Sequence, residues 1–391
     1  MRFRWLTIML LAVAVLLAAL FLLPKRKAAE QGRVVSVGEA LGGKPGEGFA
    51  RAAAPRRFTF PADHGPHPGF RTEWWYFTGN LKTAQGQSFG YQLTFFRVAL
   101  KPGPAARSSR WGASEVFMAH FAVTDVAGKR FHYAERFSRA ALGLAGAGGS
   151  PLAVRLEDWS ALETSANPWS MQLAARDGDV AVDFKVRAIT PVVLNGEGGL
   201  SRKGSEPGNA SYYYSLPRMD TSGTIRIGKE TFSVSGLSWL DREWSTSALE
   251  PNQVGWDWFA LQLDDGRDLM FYRLRRSDGT ADPFSSGTLV AANGASRHLA
   301  GEEVQLSIND WWTSPASGSR YPSRWRLRVP AEGLDLEIVP RVADQELLAS
   351  VRYWEGAVTV SGITAGAPGG SGYLEMTGYG AKDKKGAEFS P

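Results

Sequence analysis

The sequence predicts an all-β protein: two tandem antiparallel β-barrel domains behind an N-terminal membrane segment and a flexible tether. Three observations carry this. The first is a duplicated strand. Trp74-Trp-Tyr-Phe-Thr-Gly-Asn-Leu, followed by Gly86, returns as Trp256-Asp-Trp-Phe-Ala-Leu-Gln-Leu, followed by Gly266. Trp74 matches Trp256, Tyr76 matches Trp258, Asn80 matches Gln262, and Tyr91 falls opposite Phe271 beyond the turn. A repeat of this kind marks two related units. The second observation is a succession of short alternating runs from Phe58 onward, such as Phe89-Gly-Tyr-Gln-Leu-Thr-Phe-Phe-Arg-Val and Val180-Ala-Val-Asp-Phe-Lys-Val-Arg-Ala-Ile. They have strand length and are separated by turn signals such as Asp177-Gly178, Asp265-Gly266 and Asp278-Gly279. The third is the near absence of helical periodicity, with a short helix expected only within residues 341–350.

Residues 6–23 form an uncharged run of eighteen residues flanked by Arg2, Arg4, Lys25, Arg26 and Lys27. As a helix it would reach roughly 27 Å, close to the bilayer core. No small-x-small cleavage site follows, so residues 1–23 are expected to be an uncleaved signal anchor, with a cleaved signal peptide as the alternative. Residues 24–57 are rich in Gly, Ala, Lys, Arg and Pro and read as a flexible linker. The first domain is expected over residues 58–248 and the second over 249–391. The boundary is the stretch Ser245-Thr-Ser-Ala-Leu-Glu-Pro-Asn-Gln, which interrupts two strand-like runs. Residues 141–150 and 196–208 are Gly-rich loops that either cover a barrel mouth or are tolerated insertions.

Charge excludes one function class. Without the five basic residues around the apolar run, 39 basic residues face 39 acidic ones, so the basic excess belongs to membrane targeting. No nucleic-acid partner is expected. The chain has no cysteine, hence no thiol nucleophile, disulfide or lipid attachment through sulfur. It also lacks a Gly-x-Ser-x-Gly elbow and a phosphate-binding glycine loop.

Alternation assigns the candidate binding residues. Trp256, Trp258 and Gln262 share one strand face, and Trp74, Tyr76 and Asn80 share the matching face of the first repeat. An aromatic face ending in an amide suits an elongated apolar ligand with one polar contact; the competing reading is core or interdomain packing. Glu73 stands out as an acid inside the aromatic run. Asp241 and Glu243, two apart on a presumed strand, project to one face and can divide acid and base roles if burial raises one pKa, or can be salt-bridged partners of arginines. His64 and His67 have a possible zinc spacing with Asp63, but no third ligand cluster is near. A structural role for the two histidines is expected, and no metal or cofactor.

The motifs Asp63-His-Gly-Pro-His-Pro, Thr72-Glu-Trp-Trp-Tyr, Asp241-Arg-Glu-Trp, Tyr321-Pro-Ser-Arg-Trp, Tyr353-Trp-Glu-Gly-Ala-Val and Gly372-Tyr-Leu-Glu-Met-Thr-Gly-Tyr resemble the AttH-like, carotenoid 1,2-hydratase-related family. The resemblance covers residues 58–391. It implies two lipocalin-like barrels, export from the cytoplasm and association with apolar substrates; related branches hydrate carotenoid double bonds or fold polyenes into rings. The hydratase branch uses a His-x-Trp pair, matched here by Arg242 and Trp244, and a Tyr-x-Asp pair, matched by Tyr272 and Leu274. Trp244 and Tyr272 are therefore further site candidates. The missing histidine and aspartate put that route in doubt, leaving Asp241, Glu243 or Asp257 to supply the proton.

Three functional readings follow. The first is an exported, membrane-tethered binder of a lipid-like or polyene ligand. The second is a hydratase, hydrolase or cyclase acting on such a ligand. The third is an accessory subunit of an ABC-type membrane transporter. The expected location is periplasmic or otherwise extracytoplasmic, tethered to the inner membrane.

Overall fold

The structure is a computed structural model describing residues 48–103, 109, 111–247, 249–364 and 366–379. The apolar segment of residues 6–23 and the tether up to residue 47 lie outside the described residues. Among the described residues, thirteen strands build one antiparallel sheet and ten build a second, each curled into a nearly closed barrel.

The two barrels repeat one topology. In each, the first strand pairs with the last. Thr72–Lys82 lies beside Glu230–Ser245, with Trp74 opposite Glu243 and Tyr76 opposite Asp241. Gln253–Leu263 lies beside Gly370–Thr377, with Trp258 opposite Glu375. The first sheet ends at Ser245 and the second begins at Gln253.

Period-two alternation divides each duplicated strand between two environments. Trp75 and Phe77 enter the core of the first barrel with Tyr91, Phe95, Trp159 and Phe184. Phe259, Leu261 and Leu263 enter the second core with Trp325, Leu336 and Leu374. The other faces meet each other, packing Tyr76 against Trp258 and Ala260 alongside Tyr213, Trp239, Met270 and Tyr373. The aromatic face is therefore an interdomain face, with part of it left open as a cleft.

Asn80 and Gln262, equivalent in the repeat, play matching roles. Asn80 Nδ2 donates to the Gly372 carbonyl at 3.0 Å, and Gln262 Nε2 donates to the Pro217 carbonyl at 2.6 Å and to that of Ser238 at 3.2 Å. Each amide thus binds backbone of the opposite barrel. The Pro217 carbonyl is presented by a register shift between Leu216 and Met219, where a proline without an N–H is tolerated.

Close backbone approach sets this interface at Gly90, where a Cβ would come within 2.6 Å of the Ala357 Cβ in the other barrel. Gly90→Val is expected to wedge the barrels apart while leaving both cores intact. Thermal unfolding should then split into two steps, and an unchanged single transition would refute the wedge.

Two expectations change. Residues 48–57, expected within the tether, lie along the first barrel. Ala52 is fully buried, the Ala50 N–H donates to the Gly69 carbonyl at 2.8 Å, and the Tyr212 hydroxyl donates to the Ala54 carbonyl at 2.8 Å. Residues 341–350 are not helical: Glu346–Leu348 is a strand paired with Arg352–Gly362. Gln345 competes successfully with helical hydrogen bonding, since its amide donates to the Val342 carbonyl at 2.7 Å and accepts the Ala357 N–H at 3.0 Å.

Candidate functional site

The open part of the interdomain face is a cleft of about 1000 Å³, counting the part open to solvent. The first barrel supplies Trp74, Tyr76 and Phe96, and the second supplies Trp256, Trp258 and Leu274. Tyr76 and Trp258, at equivalent positions of the repeat, meet edge to face with centroids 5.1 Å apart.

Three carboxyls reach this apolar space. Asp241 and Glu243 come from one face of Glu230–Ser245, and Glu375 comes from Gly370–Thr377 on the opposite barrel. Asp241 accepts hydrogen bonds from the Tyr213 hydroxyl at 2.7 Å, the Ser215 hydroxyl at 2.5 Å and Trp239 Nε1 at 2.7 Å. Burial outweighs these bonds, and the nearby Glu243 adds to it, so the Asp241 carboxyl is pushed up to about 7. Glu375 is also pushed up to about 7, by burial and by repulsion from Asp241 and Glu243, although Trp256 Nε1 donates to it at 2.7 Å.

Glu243 has different partners: it accepts from the Ser211 hydroxyl and lies 3.5 Å from Lys203 Nζ. Lys203 sits 3.7 Å over the Tyr272 ring. Burial works against its charge, but Glu243 and Tyr272 together hold its ammonium above the ordinary value. The Tyr272 hydroxyl is fixed by Ser201 and Ser286, each at 2.9 Å.

Of the residues singled out from sequence, Trp74, Tyr76, Asp241, Glu243, Trp256, Trp258 and Tyr272 line this cleft together. Four do not. Glu73 points the other way and is fully buried between the guanidinium groups of Arg97 and Arg242. Trp244 lies on that same reverse face, stacked on the His67 ring with centroids 3.6 Å apart. Asn80 and Gln262 are committed to backbone carbonyls across the interface. The two histidines hold the lead-in segment. His64 Nδ1 shares a 2.6 Å hydrogen bond with the Tyr214 hydroxyl, and its carbonyl accepts from Trp75 Nε1 at 3.0 Å. His67 Nε2 lies 3.1 Å from Asp63.

Sequence reasoning missed Lys203, Tyr213 and Glu375. Each had a signal: Lys203 interrupts the polar Gly-rich loop of residues 196–208, Tyr213 centres a run of three tyrosines, and Glu375 sits in one of the C-terminal motifs.

The fold and cleft define a class: two tandem lipocalin-like barrels with an acid-bearing aromatic cleft between them. The AttH-like family model matches residues 51–379, and the chain belongs to this AttH-like family. A crystal structure of an AttH protein from Nitrosomonas europaea is 35% identical, covers 85% of this chain and 100% of its own, and superposes with a TM-score of 0.77. Kievitone hydratase from Nectria haematococca shares the fold at 18% identity, with a TM-score of 0.63 over 84% of this chain and 95% of its own. CghA in complex with Sch210972 shares it at 13% identity, with a TM-score of 0.52 over 87% of this chain and 98% of its own. No curated protein matches the chain.

Proposed function

We propose that this protein binds an elongated apolar molecule in the interdomain cleft and transfers protons to and from it, in the manner of a hydratase. One observation carries the reading: aromatic walls from both barrels enclose carboxyls, Asp241 on one side and Glu375 on the other, each held near pKa 7. A group with a pKa near the working pH is suited to giving up a proton and taking one back. In hydration, one carboxyl protonates an alkene carbon. Water adds its hydroxyl to the neighbouring carbon, and the second proton of that water passes to the carboxylate across the cleft. Lys203 and Tyr272 offer polar contacts to an oxygen on the ligand. Two neighbours with the same fold support this direction: one is a hydratase by name, and the other holds a small molecule in its crystal.

Titrating the full-length protein with a hydrophobic fluorophore is expected to quench tryptophan emission saturably. Trp256→Ala should weaken binding by about tenfold, or ~1.4 kcal/mol. Native mass spectrometry of protein extracted gently from its host should then show a retained apolar compound. Glu375→Gln should keep that ligand while turnover falls by about 100-fold. Absence of saturable binding with any hydrophobic probe would sink the proposal.

We further propose that the protein is exported and stays anchored through residues 6–23. The uncharged run with flanking arginines and lysines supports that placement.

A further inference from the structure

Behind the cleft wall formed by Trp74, Phe96 and Trp256, a second set of titratable groups crosses from one barrel to the other. The Tyr76 hydroxyl, from the first barrel, donates to Glu355 Oε1 in the second. Glu355 is fully buried, and its Oε2 has no partner of ordinary geometry. Tyr353 lies two residues away on the same strand face, and its hydroxyl interacts with the same carboxyl. That hydroxyl also shares a 2.6 Å hydrogen bond with Nδ1 of the fully buried His120 in the first barrel. His120 Nε2 lies 2.9 Å from Glu135, which accepts a 2.7 Å hydrogen bond from the exposed Ser350. At the inner end, Glu355 and the cleft acid Glu375 are directly opposite on paired strands. Side chains so placed are roughly 4.5–5.5 Å apart at Cβ, close enough for two carboxyls to share a proton.

We propose that Glu135, His120, Tyr353 and Glu355 form a proton relay that connects the cleft acid Glu375 to solvent across the contact between the two barrels. The proposal rests on the reading of Glu375 as a proton donor. Once Glu375 gives its proton to a ligand, Glu355 replaces it. The Tyr353 hydroxyl proton passes to Glu355, and the Tyr353 oxygen takes the proton on His120 Nδ1. Glu135, ionised at rest, takes a proton from solvent and passes it to His120 Nε2. Each group ends with the number of protons it began with, and His120 ends with its proton on Nε2 in place of Nδ1, so proton exchange between the two ring nitrogens resets it for the next turn. The reverse flow uses the other imidazole tautomer, with Nε2–H donating to Glu135 and the Tyr353 hydroxyl donating to Nδ1.

The surroundings fit this use. Among the described residues, the ionisable groups acting on Glu355 are Tyr76, Tyr353, Tyr373 and Glu375, and those contacting His120 are Glu135 and Tyr353. No cation faces Glu355 among these, so burial, reinforced by Glu375, holds its carboxyl well above the ordinary range and keeps it protonated. Glu135 lies below the ordinary range. Burial opposes its charge, but hydrogen bonds from His120 and Ser350 outweigh that. A protonated acid inside and an ionised one near the surface are the two ends a relay needs.

Infrared spectroscopy of the full-length protein tests this without any ligand. Buried protonated carboxyls give resolved carbonyl bands that shift when the proton exchanges for deuterium, and Glu355→Gln and Glu375→Gln assign them. After dilution into heavy water, Tyr353→Phe is expected to slow exchange of the Glu355 band by about tenfold or more. His120→Gln should do the same one step further out. A packing role for Tyr353 would lower stability and leave the exchange rate alone. Should Tyr353→Phe fail to fold, the His120→Gln rate decides. Wild-type exchange rates in a folded variant would place proton entry at the cleft mouth and overturn the relay. Fluorophore binding is measured separately, so failure of the ligand reading and failure of the relay give different results.

Discussion

Glu73→Ala is expected to destabilise the protein by about 3–5 kcal/mol, enough to leave a large fraction of the first barrel unfolded at 37 °C. Glu73 has no exposure and places its carboxylate between Arg97 and Arg242, themselves 1% and 0% exposed. Arg97 Nε donates to one Glu73 oxygen and Arg242 Nη2 to the other, at 2.6 Å in the second case. The His67 N–H donates to both oxygens, at 3.0 and 3.1 Å. Arg242 also stands 3.8 Å over the Trp75 ring and donates to the Trp74 carbonyl at 3.1 Å. Removing the carboxylate leaves Arg242 in a dry site with carbonyls and the Trp75 face against it, and leaves Arg97 with Glu115 at 2.8 Å and two carbonyls. Glu73→Gln should cost nearly as much, because it keeps the shape and loses the charge. Adding Arg242→Met to Glu73→Gln should recover part of the loss. Urea unfolding followed by tryptophan fluorescence measures all three. A cost below about 1 kcal/mol for Glu73→Ala would mean that water reaches the arginines.

Glu73 also shows where sequence reasoning reaches its limit. Its position next to Trp74 was visible, but alternation alone already turned it away from the Trp74 face. What could not be seen was that Arg97, 24 residues on, and Arg242, 169 residues on, converge there. The period-two pattern placed Trp74 with Tyr76 and Trp256 with Trp258 because side-chain direction in a strand is local. It placed Asp241 with Glu243 for the same reason. Asn80 and Gln262 bind a facing backbone carbonyl, which alternation does not distinguish from a ligand contact: an amide at the end of an aromatic stripe serves either equally well. Lys203 and Glu375 join the cleft only through pairing between distant segments, and no local pattern encodes that. Trp244 came from the resemblance, and a matched motif position says nothing about which way the strand face points in this chain; here it stacks on His67.

Stability is expected to fall as pH rises from about 5 to 8, the opposite of what the acidic ends of most titration curves suggest. The sign follows from groups whose affinity for protons differs between the folded and unfolded chains. Folded Asp241 and Glu375 keep their protons up to about 7, while unfolded carboxyls release theirs near 4. Glu355 keeps its proton still longer, and Asp268, raised to about 7 by burial in spite of Arg218, acts in the same direction. Across that window the unfolded chain binds fewer protons, so each added pH unit favours unfolding. His64 opposes this. Burial, and then the Arg242 charge, lower its pKa to about 3, so unfolding takes up a proton below about 6.5. His132, lowered by burial and then by Arg130, opposes it too; two imidazoles against these four carboxyls leave the net sign unchanged, and above about 6.5 the opposition disappears. A single carboxyl shifted from near 4 to 7 is worth on the order of 4 kcal/mol, so the drop in urea midpoint should be easy to resolve. Below about 4 the curve should turn over. Arg242, the His67 hydrogen bonds and Arg97 hold folded Glu73 far below the ordinary range against its burial, and that stabilisation is lost as acid protonates it. The optimum therefore falls between about 4 and 5. Glu355→Gln should flatten the descent toward pH 8 by removing one of the four carboxyls. A urea midpoint that stays level or climbs between pH 5 and 8 would mean that these carboxyls are ionised in the folded protein, and the cleft would then hold fixed anions instead of exchangeable protons.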